Sequence, residues 1–206
     1  MIHNRKELEF YIMADRMMNS GCFKKSFLMS LKDFFVPDYT MDFLKSMRKT
    51  SYYSHQSGLL NKLMYVINKM RFKRLGMKLG WSIDCNAFGY GLSLPHYGTI
   101  VVGENKIGNY AVLQTCTCLS GNQKTIGDGL YMATGAKITA KVVLGDNVSL
   151  AANSVCTKSF EEGNVLLAGV PAAKKNVSEA WYIRDGATYY ERVKKIEALR
   201  KKMGLV

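Results

Sequence analysis

Histidine is the side chain best suited to acid–base chemistry near neutral pH, and this chain has three of them. His3 and His55 lie in a basic amino-terminal part. His96 is the single histidine between residues 81 and 173, and it follows Pro95, which restricts the local backbone. A neutral imidazole can take the proton of a hydroxyl group and make it a nucleophile. His96 is therefore the candidate general base, and we expect the other two to have no catalytic role.

The cysteines do not indicate a metal centre or a disulfide framework. They are Cys22, Cys85, Cys116, Cys118 and Cys156. Their number is odd, their spacing is irregular, and no CxxC pair occurs. Because the histidines are also scattered, a zinc site is not predicted. We expect the cysteines to be small buried side chains and no metal to be required.

A six-residue repeat identifies the element that must position His96. An apolar residue returns at every sixth position, with two single-residue slips near Lys106 and Thr125. The series is Phe88, Leu94, Ile100, Ile107, Leu113, Leu119, Ile126, Met132, Ile138, Leu144, Leu150 and Cys156. A period of six is neither helical nor a strand alternation. It fits a prism of short parallel strands with the apolar residue inside, and the twelve hexads predict about four turns.

The charge distribution divides the chain into three parts. Residues 1–80 carry a net charge of +9, residues 81–173 carry −1, and residues 174–206 carry +5. We predict an amino-terminal helical segment over 1–80, a β-helix domain over 81–173 and a carboxy-terminal extension with a helix over 174–206. Because the β-helix domain is the longest of the three parts, we predict a fold class that is mainly β.

The residues around His96 resemble the serine acetyltransferase branch of the hexapeptide-repeat acyltransferase superfamily. The resemblance lies in His96, the run TIVVGE at 99–104, the run VLQ at 112–114 with Thr117, and the run AGVPA at 168–172. It implies a left-handed parallel β-helix, an exception to the right-handed crossover rule. It also implies a homotrimer with acetyl-CoA, the co-substrate, in the grooves between neighbouring prisms.

This resemblance implies a direct acetyl transfer. A thioester is already activated, so no covalent enzyme intermediate is required. His96 would take the proton of the acceptor hydroxyl and later return a proton to the CoA thiolate. The tetrahedral oxyanion needs hydrogen-bond donors, which are often backbone N–H groups.

The resemblance also indicates which residues would bind CoA. Small side chains would let the pantetheine amides reach the backbone at Ser120, Ala133, Thr134, Ala151 and Ala152. Lysines could reach the CoA phosphates from positions Lys137, Lys158, Lys174 and Lys175. Each lysine could equally be a solvated surface charge.

The partner that orients His96 is not given by the motif. Serine acetyltransferases carry an aspartate fifteen residues before the histidine, where this chain has Trp81, or Ser82 with a one-residue gap. Asp84 is the nearby carboxylate. It is off register, and we take it as a weak candidate for the catalytic partner.

The acceptor is predicted from what the chain lacks. The turn at 120–125 is short and has no DRHP stretch of the kind that holds an amino acid in serine acetyltransferases. The sequence also resembles bacterial capsule and lipopolysaccharide O-acetyltransferases. We expect a sugar hydroxyl in surface polysaccharide biosynthesis, with serine O-acetylation in cysteine biosynthesis as the alternative. A non-catalytic or metal-dependent β-helix is the third hypothesis, although the repeats hold one histidine and a metal site of that kind needs three.

The stretch at 59–79 predicts a basic amphipathic helix. It could rest on an anionic membrane surface, or pack on the prism with a solvated basic face, which we favour. The amino-terminal residues do not read as a secretory signal, and no apolar run is long enough to span a bilayer. We therefore expect a cytoplasmic protein, at the inner face of the membrane if this helix binds lipid. No nucleic-acid-binding motif accompanies the net charge of +13.

Overall fold

A computed structural model describes residues 2–205. Four helices come first: α1 (Arg5–Ser20), α2 (Phe27–Phe35), α3 (Tyr39–Ser54) and α4 (Leu59–Leu79). The strands are β1 (Trp81–Ile83), β2 (Ile100–Val102), β3 (Lys106–Ile107), β4 (Val112–Leu113), β5 (Thr117–Leu119), β6 (Thr125–Ile126), β7 (Tyr131–Met132), β8 (Lys137–Ile138), β9 (Val143–Leu144), β10 (Ser149–Leu150), β11 (Val155–Cys156), β12 (Val165–Ala168) and β13 (Ala173–Val177). Two helices end the chain: α5 (Trp181–Arg184) and α6 (Ala187–Lys202).

The strands wind into a parallel β-helix with three faces. Sheet 1 has the order β1-β2-β5-β8-β11, sheet 2 has β3-β6-β9, and sheet 3 has β4-β7-β10-β12-β13. All pairs are parallel except β12 with β13. We call the edge between sheets 1 and 2 corner 1, the edge between sheets 2 and 3 corner 2, and the edge between sheets 3 and 1 corner 3. Sheet 1 has five strands, so the helix has about five turns, one more than the repeat predicted.

The predicted interior is confirmed residue by residue. All twelve apolar members of the six-residue series are buried, and none is more than 5% exposed. The extra turn comes from strand β1 before the series and from residues 160–168 after it, where the spacing departs from six.

At corner 2, a glycine follows the apolar residue of the hexad because the neighbouring coil leaves no space for a Cβ. A Cβ on Gly127 would touch the Asp146 carboxylate and lie 2.8 Å from the Asp146 backbone N. That carboxylate already accepts a hydrogen bond from the Asp128 N–H at 2.7 Å. Gly108 and Gly145 meet the coil beyond them in the same way.

We expect Gly127→Ala to destabilise the fold by about 1–3 kcal/mol, because the new methyl group has no space and the coil beyond must shift. Ala133→Ser is the matched control, since Ala133 follows the next apolar residue of the series and already carries a Cβ. Urea unfolding of both variants measures the difference. Equal midpoints would contradict the prediction.

The amino-terminal helices close the first turn of the prism. Phe43 of α3 and Phe72 of α4 join the prism core beside Trp81. The rings of Phe43 and Trp81 lie 4.9 Å apart, edge to face. Gly76 lets α4 approach β1, because a Cβ there would lie 2.6 Å from the Trp81 carbonyl oxygen. Burial of these aromatic side chains holds the helical segment on the prism.

The carboxy-terminal helix packs across the first turns and against α1. Glu197 of α6 accepts a hydrogen bond from the Tyr90 hydroxyl at 2.8 Å and another from the Tyr110 hydroxyl. Burial and this carboxylate raise the pKa of both phenols above the usual value. The Trp181 indole N–H donates to the Tyr110 carbonyl at 2.7 Å. The extension is therefore packed on the prism.

Residues 173–177 form an antiparallel strand on β12, and helix α6 begins after Gly186. The expectation that the cysteines are buried was wrong in part. Of the cysteines, only Cys156 is fully buried, and Cys116 is exposed. None of the helices within residues 2–205 is both long enough and apolar enough to cross a membrane.

Candidate functional site

His96 lies at corner 3 of the first turn, where the chain leaves sheet 3 and enters β2. Leu94 is buried in the prism, whereas the next three residues, Pro95, His96 and Tyr97, are exposed. The backbone before this corner is fixed by Asn19 of α1, whose side chain accepts from the Leu94 N–H at 3.1 Å. After the corner, the Gly98 N–H donates to the Leu79 carbonyl at the end of α4. Two helix ends thus fix the loop, and the imidazole faces solvent.

The coils that follow present small side chains at the same corner. Four of the predicted CoA residues lie here, as two successive pairs: Ala133, Thr134, Ala151 and Ala152. Backbone hydrogen bonds join the levels, from Gly135 N–H to Thr115 carbonyl and from Asn153 N–H to Thr134 carbonyl, both at 3.0 Å. Neighbouring coils are about 4.8 Å apart, so the pairs lie roughly 10 and 14 Å from the His96 level. An extended molecule could follow this edge to His96.

The remaining predicted CoA residues are spread over other faces of the chain. Lys137 is on sheet 1, next to corner 3, and its ammonium donates to the Gly135 carbonyl at 2.9 Å. Lys174 is on β13, in register with Leu167, and lies 3.7 Å from Glu162. Ser120 and Lys158 follow strands of sheet 1 and lie at corner 1. Within one chain, His96 therefore shares a corner with the four small residues, and Lys137 lies beside them. Ser120 and Lys158 lie at a different corner.

Asp84 also lies away from His96. It follows β1 at corner 1, and its carboxylate accepts from the Asn86 N–H at 2.8 Å. Sheet 1 separates the two corners, so a single chain does not bring Asp84 to the imidazole. Within residues 2–205, no three His, Cys, Asp or Glu side chains are grouped so that they could hold a metal ion.

Comparisons with solved structures find proteins of similar architecture. Serine acetyltransferase of Neisseria gonorrhoeae superposes with a TM-score of 0.57 at 20% identity, over 84% of this chain and 65% of that one. A serine acetyltransferase in complex with CoA gives 0.57 at 20% identity, over 82% and 68%. The enzyme of Brucella abortus gives 0.55 at 22% identity, over 84% and 69%. This chain has the same β-helix fold as these proteins. The predicted left-handed β-helix and its resemblance to the serine acetyltransferase type are thereby confirmed.

Sequence comparison finds relatives over part of the chain. The bifunctional protein GlmU of Saccharophagus degradans is 28% identical over 97 residues, which are 45% of this chain and 21% of that protein. GlmU of Stenotrophomonas maltophilia is 30% identical over 90 residues, 43% and 19% of the two chains. The chain therefore matches only about a fifth of the length of these relatives. No family model matches it.

A buried ion pair holds the His96 corner from behind. The Arg48 guanidinium and the Asp15 carboxylate meet at 2.7 Å, with side chains 1% and 0% exposed. Asp15 also accepts from the Leu92 N–H at 3.0 Å, and Arg48 donates to the Phe88 and Gly89 carbonyls. Burial raises the pKa of the Asp15 carboxyl, and the Arg48 charge and the N–H donors oppose that effect. The pair fixes residues 88–92, which lead into the His96 loop.

Sequence reasoning missed this pair because its members share no motif. Asp15 and Arg48 are 33 residues apart, and Leu92 is 77 residues from Asp15. The available signal was an aspartate and an arginine within otherwise apolar helix faces, which predicts a buried, paired charge.

We expect Ala152→Trp to raise the Kd for acetyl-CoA on the order of tenfold or more, because the indole would fill the edge that the small residues leave open. Ala152 is exposed, so the variant should fold. Ala198→Trp on the exposed side of α6 is the matched control. Calorimetric titration with acetyl-CoA measures both. Unchanged affinity in Ala152→Trp would place CoA elsewhere.

Proposed function

We propose that this chain is an acetyl-CoA-dependent O-acetyltransferase with His96 as its general base. The observation that carries the proposal is the exposed His96 at the head of a ladder of small residues on one edge of a hexapeptide β-helix. A serine acetyltransferase in complex with CoA is among the similar folds, and this supports CoA as the co-substrate.

The chemistry follows from one base and one thioester. The His96 imidazole takes the proton of the acceptor hydroxyl as its oxygen attacks the thioester carbonyl carbon. Collapse of the tetrahedral intermediate breaks the C–S bond. The imidazolium then gives its proton to the leaving CoA sulfur, so the histidine returns to its starting state. The products are an acetyl ester and free CoA.

We propose that CoA lies along corner 3, over Thr134 and Ala152, with a phosphate near Lys137 or Lys174. This edge is exposed in one chain. In a homotrimer, which we propose, the edge would lie in a groove between two prisms. Ser120 and Lys158 at corner 1 would contribute to that groove from the neighbouring prism. Asp84, also at corner 1, could reach His96 only in the same way.

The comparisons favour serine as the acceptor over the sugar hydroxyl preferred from the sequence. The similar folds above are serine acetyltransferases, two of them from named bacteria. Free serine is therefore the first acceptor to test.

A specific observation keeps the sugar hydroxyl as the second candidate. The turn at 120–125 has no arginine, and its single cation, Lys124, is buried with its ammonium donating to the Ser120 carbonyl. A serine carboxylate requires a free cationic or N–H donor. This turn of the chain does not supply a free cation.

The test is CoA release from acetyl-CoA, measured with free serine, with nucleotide sugars and with an oligosaccharide mixture, and with mass spectrometry of the product. We expect CoA release to depend on a hydroxyl acceptor and the product to gain one acetyl group. Failure of the chain to bind acetyl-CoA in calorimetry would overturn the proposal. Turnover with serine alone would exclude the sugar candidate, and turnover with a sugar alone would exclude serine.

A further inference from the structure

Helix α2 exposes an unusually apolar face. Phe27, Leu28, Leu31, Phe34 and Phe35 recur at helical spacing on one side, and each is between 50% and 82% exposed. No residue of α2 is buried. Burying several large aromatic and aliphatic side chains is favourable, so a face of this kind is expected to bind something.

The chain on either side of α2 is anchored near the His96 corner. The helix follows α1, whose last turn holds Leu92 and Leu94 through Asn19. It precedes α3, whose first residue Tyr39 lies under the Lys78 ammonium at 3.6 Å. Lys78 is next to Leu79, the residue that accepts from Gly98 after the corner. The segment 21–38 therefore joins two points on either side of the His96 loop.

Helix α4 has a second apolar face, opposite its packed one. Asn68, Phe72, Gly76 and Leu79 are buried toward the prism. On the opposite side an exposed stripe runs from one end of the helix to the other: Leu59, Leu63, Val66, Ile67, Met70 and Met77. The helix also carries six lysines and arginines and no acidic residue. One face of α4 therefore packs on the prism, and the opposite face is exposed.

From these features we propose that α2 and the outer stripe of α4 dock the protein on an anionic lipid bilayer. Lys24 and Lys25 precede α2 and Lys32 lies on it, with Lys25 paired to Asp33. Apolar side chains beside these lysines and the six basic residues of α4 match an interface of acyl chains under negative headgroups. A second copy that met this face with its own residues 1–80 is a poorer match, because that part carries +9 and would meet like charge. A nucleic acid would not cover the phenylalanine face.

Docking through α2 would place the His96 loop close to the bilayer surface. If the proposed acetyl transfer is correct, a hydroxyl acceptor carried by a membrane lipid would reach the base without leaving the surface. This consequence rests on the proposed function, whereas the docking itself does not.

The test is co-sedimentation of the full chain with vesicles of phosphatidylcholine alone and of phosphatidylcholine with phosphatidylglycerol. We expect binding to the anionic vesicles that weakens as salt rises. Phe27→Glu with Phe34→Glu should reduce binding on the order of tenfold or more. Both residues are exposed, so the fold should be kept. The matched control is Val177→Glu with Ile183→Glu, two exposed apolar residues on β13 and α5, outside the amino-terminal helices.

Three results would overturn the docking proposal. The first is no binding to the anionic vesicles, and the second is equal binding of the α2 variant and its parent. The third is dissociation of an oligomer by the α2 substitutions in sedimentation velocity, which would show that a second copy covers this face. CoA release in solution, measured on the same variant, tests the proposed function separately.

Discussion

Replacing His96 with alanine is expected to lower kcat for acetyl transfer by about 10²–10⁴, the usual contribution of a general base. The side chain is exposed, so its loss should cost little stability. Its role is confined to the proton of the acceptor, so the Kd for acetyl-CoA should stay within about twofold. Steady-state CoA release and calorimetric titration, run on the same preparation, measure the two effects.

His55→Ala is the matched control for this experiment. His55 is another exposed histidine, but its ring nitrogen lies 2.8 Å from the Ser51 carbonyl at the end of α3. We expect it to leave kcat unchanged. If His96→Ala retained turnover within about threefold of the parent, the small rate loss would be below what a general base contributes, and the assignment of the base would fail.

The β-helix could be predicted from sequence because its rule is local. Each hexad places one apolar residue inside, and the twelve predicted positions are all buried. The same rule failed at the two ends. Trp81 enters the core through contact with Phe43, and β12 is followed by a strand that runs backward. Neither feature follows the six-residue repeat, so the repeat could not predict it.

The site could be predicted in part. Ala133 and Ala151 occupy equivalent hexads, so the repeat alone places them on one edge, and His96 falls on the same corner two turns before Ala133. Counting residues along the coil places Ser120 and Asp84 at corner 1. The motif resemblance does not include such a count, so it did not separate them from His96. In the proposed trimer, they could reach the site of a neighbouring chain.

The amino-terminal helices were the part least accessible to pattern reasoning. The basic pattern of α4 predicted one apolar face, but the helix has a packed face and an exposed face on opposite sides. Periodicity reports which residues are apolar, and it does not report which of two apolar faces meets the protein. Contacts between residues far apart in sequence decide that.

The ion pair behind the His96 loop should be the most costly polar contact to break. Asp15→Ala is expected to lower the free energy of unfolding by about 3–5 kcal/mol, because it leaves the buried Arg48 guanidinium without its partner. The Leu92 N–H also loses its acceptor. Urea unfolding followed by circular dichroism measures the change.

Asp42→Ala is the control, since Asp42 forms an ion pair of similar length with Arg71, 3.0 Å, on the surface. An exposed pair of this kind contributes about 0–1 kcal/mol. Joint replacement by apolar residues, Asp15→Leu with Arg48→Met, should recover part of the loss, because no charge then remains buried. If Asp15→Ala cost no more than Asp42→Ala, the pair would not hold residues 88–92. The His96 loop would then depend on Asn19 and Leu79 alone.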